Sequence, residues 1–281
     1  MEALSTATVQ IVWTIATYTV LSIGFNYLWS INRFFDIGYA AQILVGAYSF
    51  YAFERAGASL PVAACGALGI SVICALILER FVYVRLRAQY ASPLMSLIVS
   101  VGVLAVVQGV VSMLFTTQSQ TLVVAEHYFR FSTVSVSYSQ ILTIILGCIV
   151  YMCARYVSTH TSFGTQVRAV QDNEQLARTS GVGIARVRSL SVMCAAVCAT
   201  VAGIGVGLNT SINPAFSMSL LLDAVVISMI FGLGNIPRAI YGAMLFSCIE
   251  VASVWVVGPG WKDATTFSVL IMLLLYRSAK T

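Results

Sequence analysis

SPLMSLIVSVGVLAVVQGVVSMLFT, residues 92–116, carries no charged side chain. A helix needs about 20 mostly apolar residues to cross a bilayer. This run supplies them. Comparable stretches lie at 6–28, 37–53, 61–84, 139–157, 189–209, 217–233, 238–258 and 264–276. The stretch 37–53 is short and follows the polar cluster Asn32, Arg33, Asp36. The stretch 264–276 is shorter still. One of these two is a candidate for a re-entrant or broken helix, which a bilayer accepts only where protein shields it. The fold class expected is an all-α polytopic membrane protein with eight or nine transmembrane helices. Residues 1–281 then form one domain, since so many crossings leave little chain for another.

Composition agrees. The chain is 59% hydrophobic and 9% charged, against about a quarter charged in a soluble domain. Its mean hydropathy is +0.91. Too few charges exist to cover a water-soluble fold, and too much apolar content for disorder. Seven cysteines in 281 residues are too sparse for a disulfide scaffold. A net charge of +5, confined to particular loops, argues against a nucleic-acid partner. The first segment lacks the basic start of a cleavable signal peptide, because only Glu2 is charged before Arg33.

Basic residues mark the cytoplasmic side. With the segment 158–188 placed inside, alternation puts eleven basic residues inside and three outside. The three are Arg55, Arg130 and Lys262, while Arg33 is ambiguous. Nine crossings then leave the N-terminus outside and the C-terminus in the cytoplasm.

Two loops are long enough to carry structure. The outer one, 117–138, alternates Phe129, Phe131, Val134 and Val136, the period of a short strand or hairpin. The inner one, 158–188, is the most charged stretch. Within it Asp172 can cap a helix, and Gln175 can reach back to complete a capping box. The helix runs through Leu176, Ala177 and Arg178, and Gly181 sits where a left-handed residue ends it. Glu174 and Arg178 stand four apart in the favourable order. An ordinary loop helix is the plain alternative. The functional one is a docking element that passes a push from a cytoplasmic partner into the bilayer.

Acids inside apolar segments are costly and usually face a cavity or a partner. Asp223 and Glu250 lie deep, Asp36 near a boundary, and Glu79 close to the inner end beside Arg80. Gly203, Gly205 and Gly207 belong to close helix packing. Gly232 and Gly234, followed by Pro237, mark a tight turn. No cysteine or histidine spacing forms a metal site, and no nucleophile or acid–base motif appears. The inner-loop helix favours a permease subunit over an autonomous channel or carrier; the rivals are an ion-coupled secondary carrier, which would put the work on Asp223 and Glu250, and a non-transporting scaffold whose inner loop recruits a partner.

Longer patterns then come into view. Phe163-Gly164-Thr165-Gln166-Val167-Arg168-Ala169 is followed by Asp172, Glu174, Ala177, Gly181 and Val182. Ala195, Ala196, Ala199, Ala202 and Gly203 precede Gly232-Leu233-Gly234-Asn235-Ile236-Pro237, then Glu250 and Trp261-Lys262-Asp263-Ala264. Near the N-terminus stands Gly46-Ala47-Tyr48. In this order the elements resemble the branched-chain amino acid and urea-amide permeases of ABC importers. The segment 175–181 is similar to that group's Glu-Ala-Ala-x-x-x-Gly coupling motif, with Ala177 and Gly181 matching strictly.

The resemblance implies a permease subunit that hydrolyses nothing and binds no cofactor. ATP and magnesium would sit on two cytoplasmic ATPase subunits docked at Arg168, Asp172, Glu174, Ala177, Arg178 and Gly181. A second permease, alike or different, would enclose the path, and a periplasmic or surface binding protein would deliver the solute. The location implied is the bacterial inner membrane. Three departures stand out. Asp36-Ile37-Gly38-Tyr39-Ala40 replaces Asn-Phe-Ala-His-Gly, Asp223 stands where Lys is common, and Arg238 follows Ile-Pro in place of Gly. Asp36, Tyr39, Asp223, Glu250, Gly232 and Gly234 are therefore the candidates for the solute pathway.

Overall fold

A computed structural model describes residues 2–89, 92–121, 128–131, 134–231, 233–256 and 258–261, with 264, 267, 268, 271 and 272. Its helices are α1 (Glu2–Asn32), α2 (Gly38–Arg55), α3 (Leu60–Leu78), α4 (Val84–Ala88), α5 (Pro93–Phe115) and α6 (Tyr138–His160). Then follow α7 (Ser162–Asp172), α8 (Glu174–Thr179), α9 (Ile184–Gly207), α10 (Phe216–Phe231) and α11 (Ala239–Val256). A π turn, Glu79–Tyr83, joins α3 to α4 without a break.

Six helical stretches among the described residues are long and apolar enough to cross a membrane. They are Ala7–Asn32, Leu60–Ala88, Pro93–Phe115, Tyr138–His160, Ile184–Gly207 and Ile236–Val256. The chain is thus a multi-pass helical membrane protein. The expected 37–53 and 217–233 are the helices α2 and α10, of 18 and 16 residues, and neither meets the same test. The first is too polar and the second too short. The expected 264–276 lies mostly outside the described residues.

The centre is built by α1, α2 and α9. Around α1 pack α6, α10 and α11, while α3 packs on α2 and α9, and α5 on α2. The sequence allows this because the contact faces are small. Ala195, Ala196, Ala199 and Ala202 of α9 are all buried. A Cβ added to Gly46 would stand 2.7 Å from the Cα of Thr200, and one on Gly203 would stand 2.9 Å from the carbonyl oxygen of Ile43. Lipid offers no hydrophobic drive between helices, so such close approach is what holds them together. Two buried hydroxyls of the centre are satisfied within their own helix: Thr17 donates to the carbonyl of Trp13 at 3.0 Å, and Thr200 to that of Ala196 at 2.8 Å.

The outer helices expose apolar side chains instead. Ile73 and Ile77 of α3, Ile98 and Met113 of α5, and Ile149 and Met152 of α6 are all exposed. A water-soluble protein would not tolerate such a belt; a bilayer requires it. In the outer loop, β1 (Tyr128–Phe131) pairs antiparallel with β2 (Val134–Ser137), opposing Tyr128 to Ser137 and Phe131 to Val134. That is the hairpin the alternation predicts. At the same end Gln120 and Ile212 exchange two backbone hydrogen bonds of 2.8 Å.

Candidate functional site: a docking helix at one end and an acidic cavity within the bundle

The segment between α6 and α9 turns back on itself twice. Thr161 caps α7, its hydroxyl accepting from the amide of Gly164 at 3.3 Å. Asn173 is extended, with φ −155° and ψ 109°, and breaks α7 from α8. Its side chain accepts from the amide of Leu176 at 3.1 Å. The cap is therefore Asn173 and not Asp172, and the expected box with Gln175 does not form. An N-cap must leave the helical region, and Asp172 is still helical as the last residue of α7.

The end of α8 follows the sequence. Gly181 has φ +82°. Its amide donates to Arg178 at 3.1 Å, and that of Val182 to Ala177 at 3.0 Å. This pair of bonds is the Schellman arrangement. Ala177 is buried among Val167, Val170, Ile184 and Val187, which seats α8 on α7 and α9. Glu174 ties it further, accepting from Arg188 at 2.8 Å. The expected pair with Arg178 is looser at 3.8 Å and exposed, so it contributes little. Arg168 braces the corner by donating to the carbonyl of Ser158 at 2.8 Å. What α8 presents outward is Leu176, 66% exposed, with Arg178 beside it. A cleft of about 1140 Å³ opens alongside, with Arg80, Arg85, Arg178 and Arg188 on its walls.

Asp36 and Tyr39 do not meet the deep acids. Asp36 is 3% exposed at the α1–α2 junction. It accepts from the hydroxyl of Tyr83 at 2.6 Å, the amide of Gly38 at 2.9 Å and the side chain of Asn32 at 3.2 Å. Arg87 donates to Asn32 at 3.1 Å and pairs with buried Glu79. In a pure α-helix residues eight apart lie about 80° apart round the axis; the π turn closes that gap. Burial pushes the Asp36 carboxyl up to about 6, against the lowering pull of the Tyr83 and Gly38 bonds. Tyr39 is wholly buried and donates to the carbonyl of Leu21 at 3.0 Å. Both residues fasten helices together.

Gly234, with φ +80°, donates its amide to Asn26 at 2.6 Å. Asn26 in turn donates to Ser228 at 3.0 Å. The side chain of Gln171 fills the space where a Cβ on Gly234 would lie, and the main-chain carbonyl of Gln171 accepts from the Arg33 guanidinium. The α7–α8 segment thus touches the end of α1 and the α10–α11 turn directly. Arg33, ambiguous in sequence, stands on the side of that segment. Gly232 lies outside the described residues.

Asp223 and Glu250 are brought together. They line a cavity of about 380 Å³ between α1, α10 and α11, with Trp13, Tyr18 and Trp255. Tyr18 lines the same cavity as both acids. Sequence patterns passed over Leu176, Arg188, Trp13, Tyr18 and Asn26. Only Asn26 carried a usable signal, an amide within an apolar run, of the same kind that singled out Asp223. Among the described residues no three His, Cys, Asp or Glu gather as metal ligands would.

Known proteins place this architecture. The fold resembles that of PsaBC from Streptococcus pneumoniae in complex with Fab, with a TM-score of 0.56, 12% identity, and coverage of 94% of this chain and 89% of that one. The high-affinity branched-chain amino acid transport system permease protein BraD of Pseudomonas aeruginosa is 24% identical over 278 residues, 93% of this chain and 90% of the relative. LivH of Escherichia coli, of the same description, is 24% identical over 277 residues, 92% of this chain and 89% of the relative. The pattern of the family described as branched-chain amino acid transport system, permease component, matches residues 7–276. With nearly its whole length matched, the chain belongs to that permease family.

Proposed function

We propose that this ABC-importer permease carries an amino acid or a related small solute past Asp223 and Glu250, driven from the cytoplasm through α8. The observation that carries the coupling role is the construction of α8. It is capped at both ends, seated on an apolar cluster and clamped by Glu174 to Arg188. Yet its tip exposes an apolar Leu176 and a cationic Arg178. A rigid helix with an unsatisfied apolar tip is suited to fit a partner's groove. From there Gln171 reaches Arg33 and Gly234, so a displacement of α7–α8 is felt by α1 and by the α10–α11 turn that support the acids.

The partners that fit are two ATPase subunits at the inner face, a second permease subunit, and a binding protein outside. BraD and LivH are named as permease proteins of branched-chain amino acid transport systems, which supports an amino-acid-sized solute. In this arrangement α2 and α10 also cross, and the apolar run 264–276 supplies a ninth crossing. The N-terminus is outside and the C-terminus in the cytoplasm of a bacterial inner membrane. Arg33 on the side of the docking segment agrees with the positive-inside rule.

The test is the complete importer in proteoliposomes. Arg178→Glu is expected to cut solute-stimulated ATP hydrolysis at least about tenfold, the loss of one desolvated contact of about 1.4 kcal/mol. Basal hydrolysis should persist. Full stimulation in that variant would remove α8 from the docking role.

A further inference from the structure

Arginines outnumber acids in the cleft of about 1140 Å³ between the α3–α4 stretch and α8–α9. Its walls carry Arg80, Arg85, Arg87, Arg178 and Arg188, against Glu79 and Glu174. Both glutamates are already engaged. Glu79 pairs with Arg87, and Glu174 accepts from Arg188 at 2.8 Å. Arg178 comes no closer to Glu174 than 3.8 Å and is largely exposed. Arg80 and Arg85 are exposed and pair with no acid among the described residues. The cleft thus holds positive charge that its own acids do not neutralise.

Its place in the fold is an independent observation. The cleft lies where two membrane spans, Leu60–Ala88 and Ile184–Gly207, end beside α8. Leu76, Arg80, Val84 and Ala88 recur every four residues along one wall. From Leu76 to Ala88 that wall is about 18 Å long, enough for a headgroup and the start of an acyl chain. Ile73, Ile77, Phe81 and Arg85 form the neighbouring row of the same helix. The three apolar members of that row are exposed, so the row belongs to the lipid-facing belt. The Arg85 guanidinium stands 5.7 Å from the centroid of the Phe81 ring. A cation laid on a lipid-facing ring sits at the boundary between acyl chains and water.

These features select among anions. A free anion gains nothing from Leu76, Val84 and Ile184. A protein partner arriving from water meets α8 first and leaves Ile77 and Phe81 to the lipid. A zwitterionic lipid brings its own ammonium to a site that is already cationic. An acidic phospholipid suits both kinds of wall: its phosphate accepts from guanidinium N–H groups, and its chains cover the apolar row. Basic pockets at the ends of membrane helices take anionic headgroups by this chemistry. We propose that the cleft binds an acidic phospholipid, its phosphate on Arg80 and Arg85 and its chains along Ile73, Ile77 and Phe81.

The full chain is purified with an equal mixture of phosphatidylglycerol and phosphatidylcholine of identical acyl chains. Native mass spectrometry then counts the lipids retained. Phosphatidylglycerol should be kept at least about tenfold over phosphatidylcholine. Arg80→Gln with Arg85→Gln should reduce that preference to about twofold or less. Arg155→Gln with Arg186→Gln removes the same charge outside the cleft and should leave the preference intact. Equal retention of the two lipids by the wild type overturns the proposal. So does an undiminished preference in the cleft variant, or an equal loss in the outside variant. Millimolar inorganic phosphate should not displace the lipid; complete displacement would assign the cleft to a free anion and overturn the lipid. The assembled importer should keep its phosphatidylglycerol, and loss on assembly would give the cleft to the ATPase subunits instead. Should the cleft variant fail to fold, the wild-type comparison and the phosphate arm still decide. Docking at α8 is read separately, by coupling in Arg178→Glu.

Discussion

Proline at position 181 attacks the end of α8, the helix proposed to dock a partner, through its backbone alone. Gly181 has φ +82°, whereas proline is locked near −65°. The amide that donates to Arg178 at 3.1 Å disappears, at about 1 kcal/mol. The turn cannot then deliver the Val182 amide to Ala177, a 3.0 Å bond of similar worth. Val182 also leaves the apolar cluster on which α8 sits. It is only partly buried, so about 1 kcal/mol more is lost. The sum, about 3 kcal/mol, is roughly a hundredfold fall in the population of a correctly ended α8. Alanine grades the effect. No atom lies within 4 Å of a Cβ added at Gly181, so Gly181→Ala brings no clash. It adds only the left-handed strain of about 1–2 kcal/mol. In proteoliposomes holding the complete importer, solute-stimulated ATP hydrolysis should fall from wild type to Ala to Pro. Basal hydrolysis and assembly should be retained. Wild-type stimulation in the proline variant would refute the argument, because α8 would then not need its Schellman ending to transmit force.

Two other predictions concern what holds the bundle. Gly46→Ala places a Cβ 2.7 Å from the Cα of Thr200, so α2 and α9 must part, at a cost of about 1–3 kcal/mol; the thermal midpoint in detergent should drop, and an unchanged midpoint would contradict the close packing. Asp36 gives a pH dependence. Its carboxyl moves from 3.8 up to about 6 on burial, so the folded chain holds this proton more tightly. The stabilisation, about 3 kcal/mol, is full below the unfolded value near 4 and is lost as pH rises through 6. Asp36→Asn should remove that slope from the midpoint-against-pH curve, and parallel curves for the two proteins would count against it.

The spans were legible because the bilayer imposes one rule on every crossing, a run of apolar residues of fixed length. The run 92–116 became α5, Pro93–Phe115, within a residue at each end. The hairpin in 117–138 was legible for a similar reason, since alternation is local. The end of α8 was legible because only a residue like Gly181 accepts positive φ readily. Its start was misread by one residue. Asp172 and Asn173 are both good caps, and the choice depended on where α7 stopped, which the packing of Val167 and Val170 decides.

The pathway candidates divided for a physical reason. Asp36 and Asp223 look alike in sequence, each an acid beside apolar residues. One is filled by Tyr83, Gly38 and Asn32 at a helix junction, while the other faces a cavity beside Glu250. Those partners stand on elements remote in the chain, so no spacing pattern could reveal them. The same holds for Trp13 and Tyr18, which read as ordinary aromatics of the first helix.

By itself, then, the sequence determined that the chain lives in a membrane and where its long apolar helices run. Each of these depends on local hydropathy, local charge or local backbone conformation. Only the tertiary structure decided which acids fasten a helix junction and which line the cavity, because a buried charge acquires its role from neighbours that arrive from other helices.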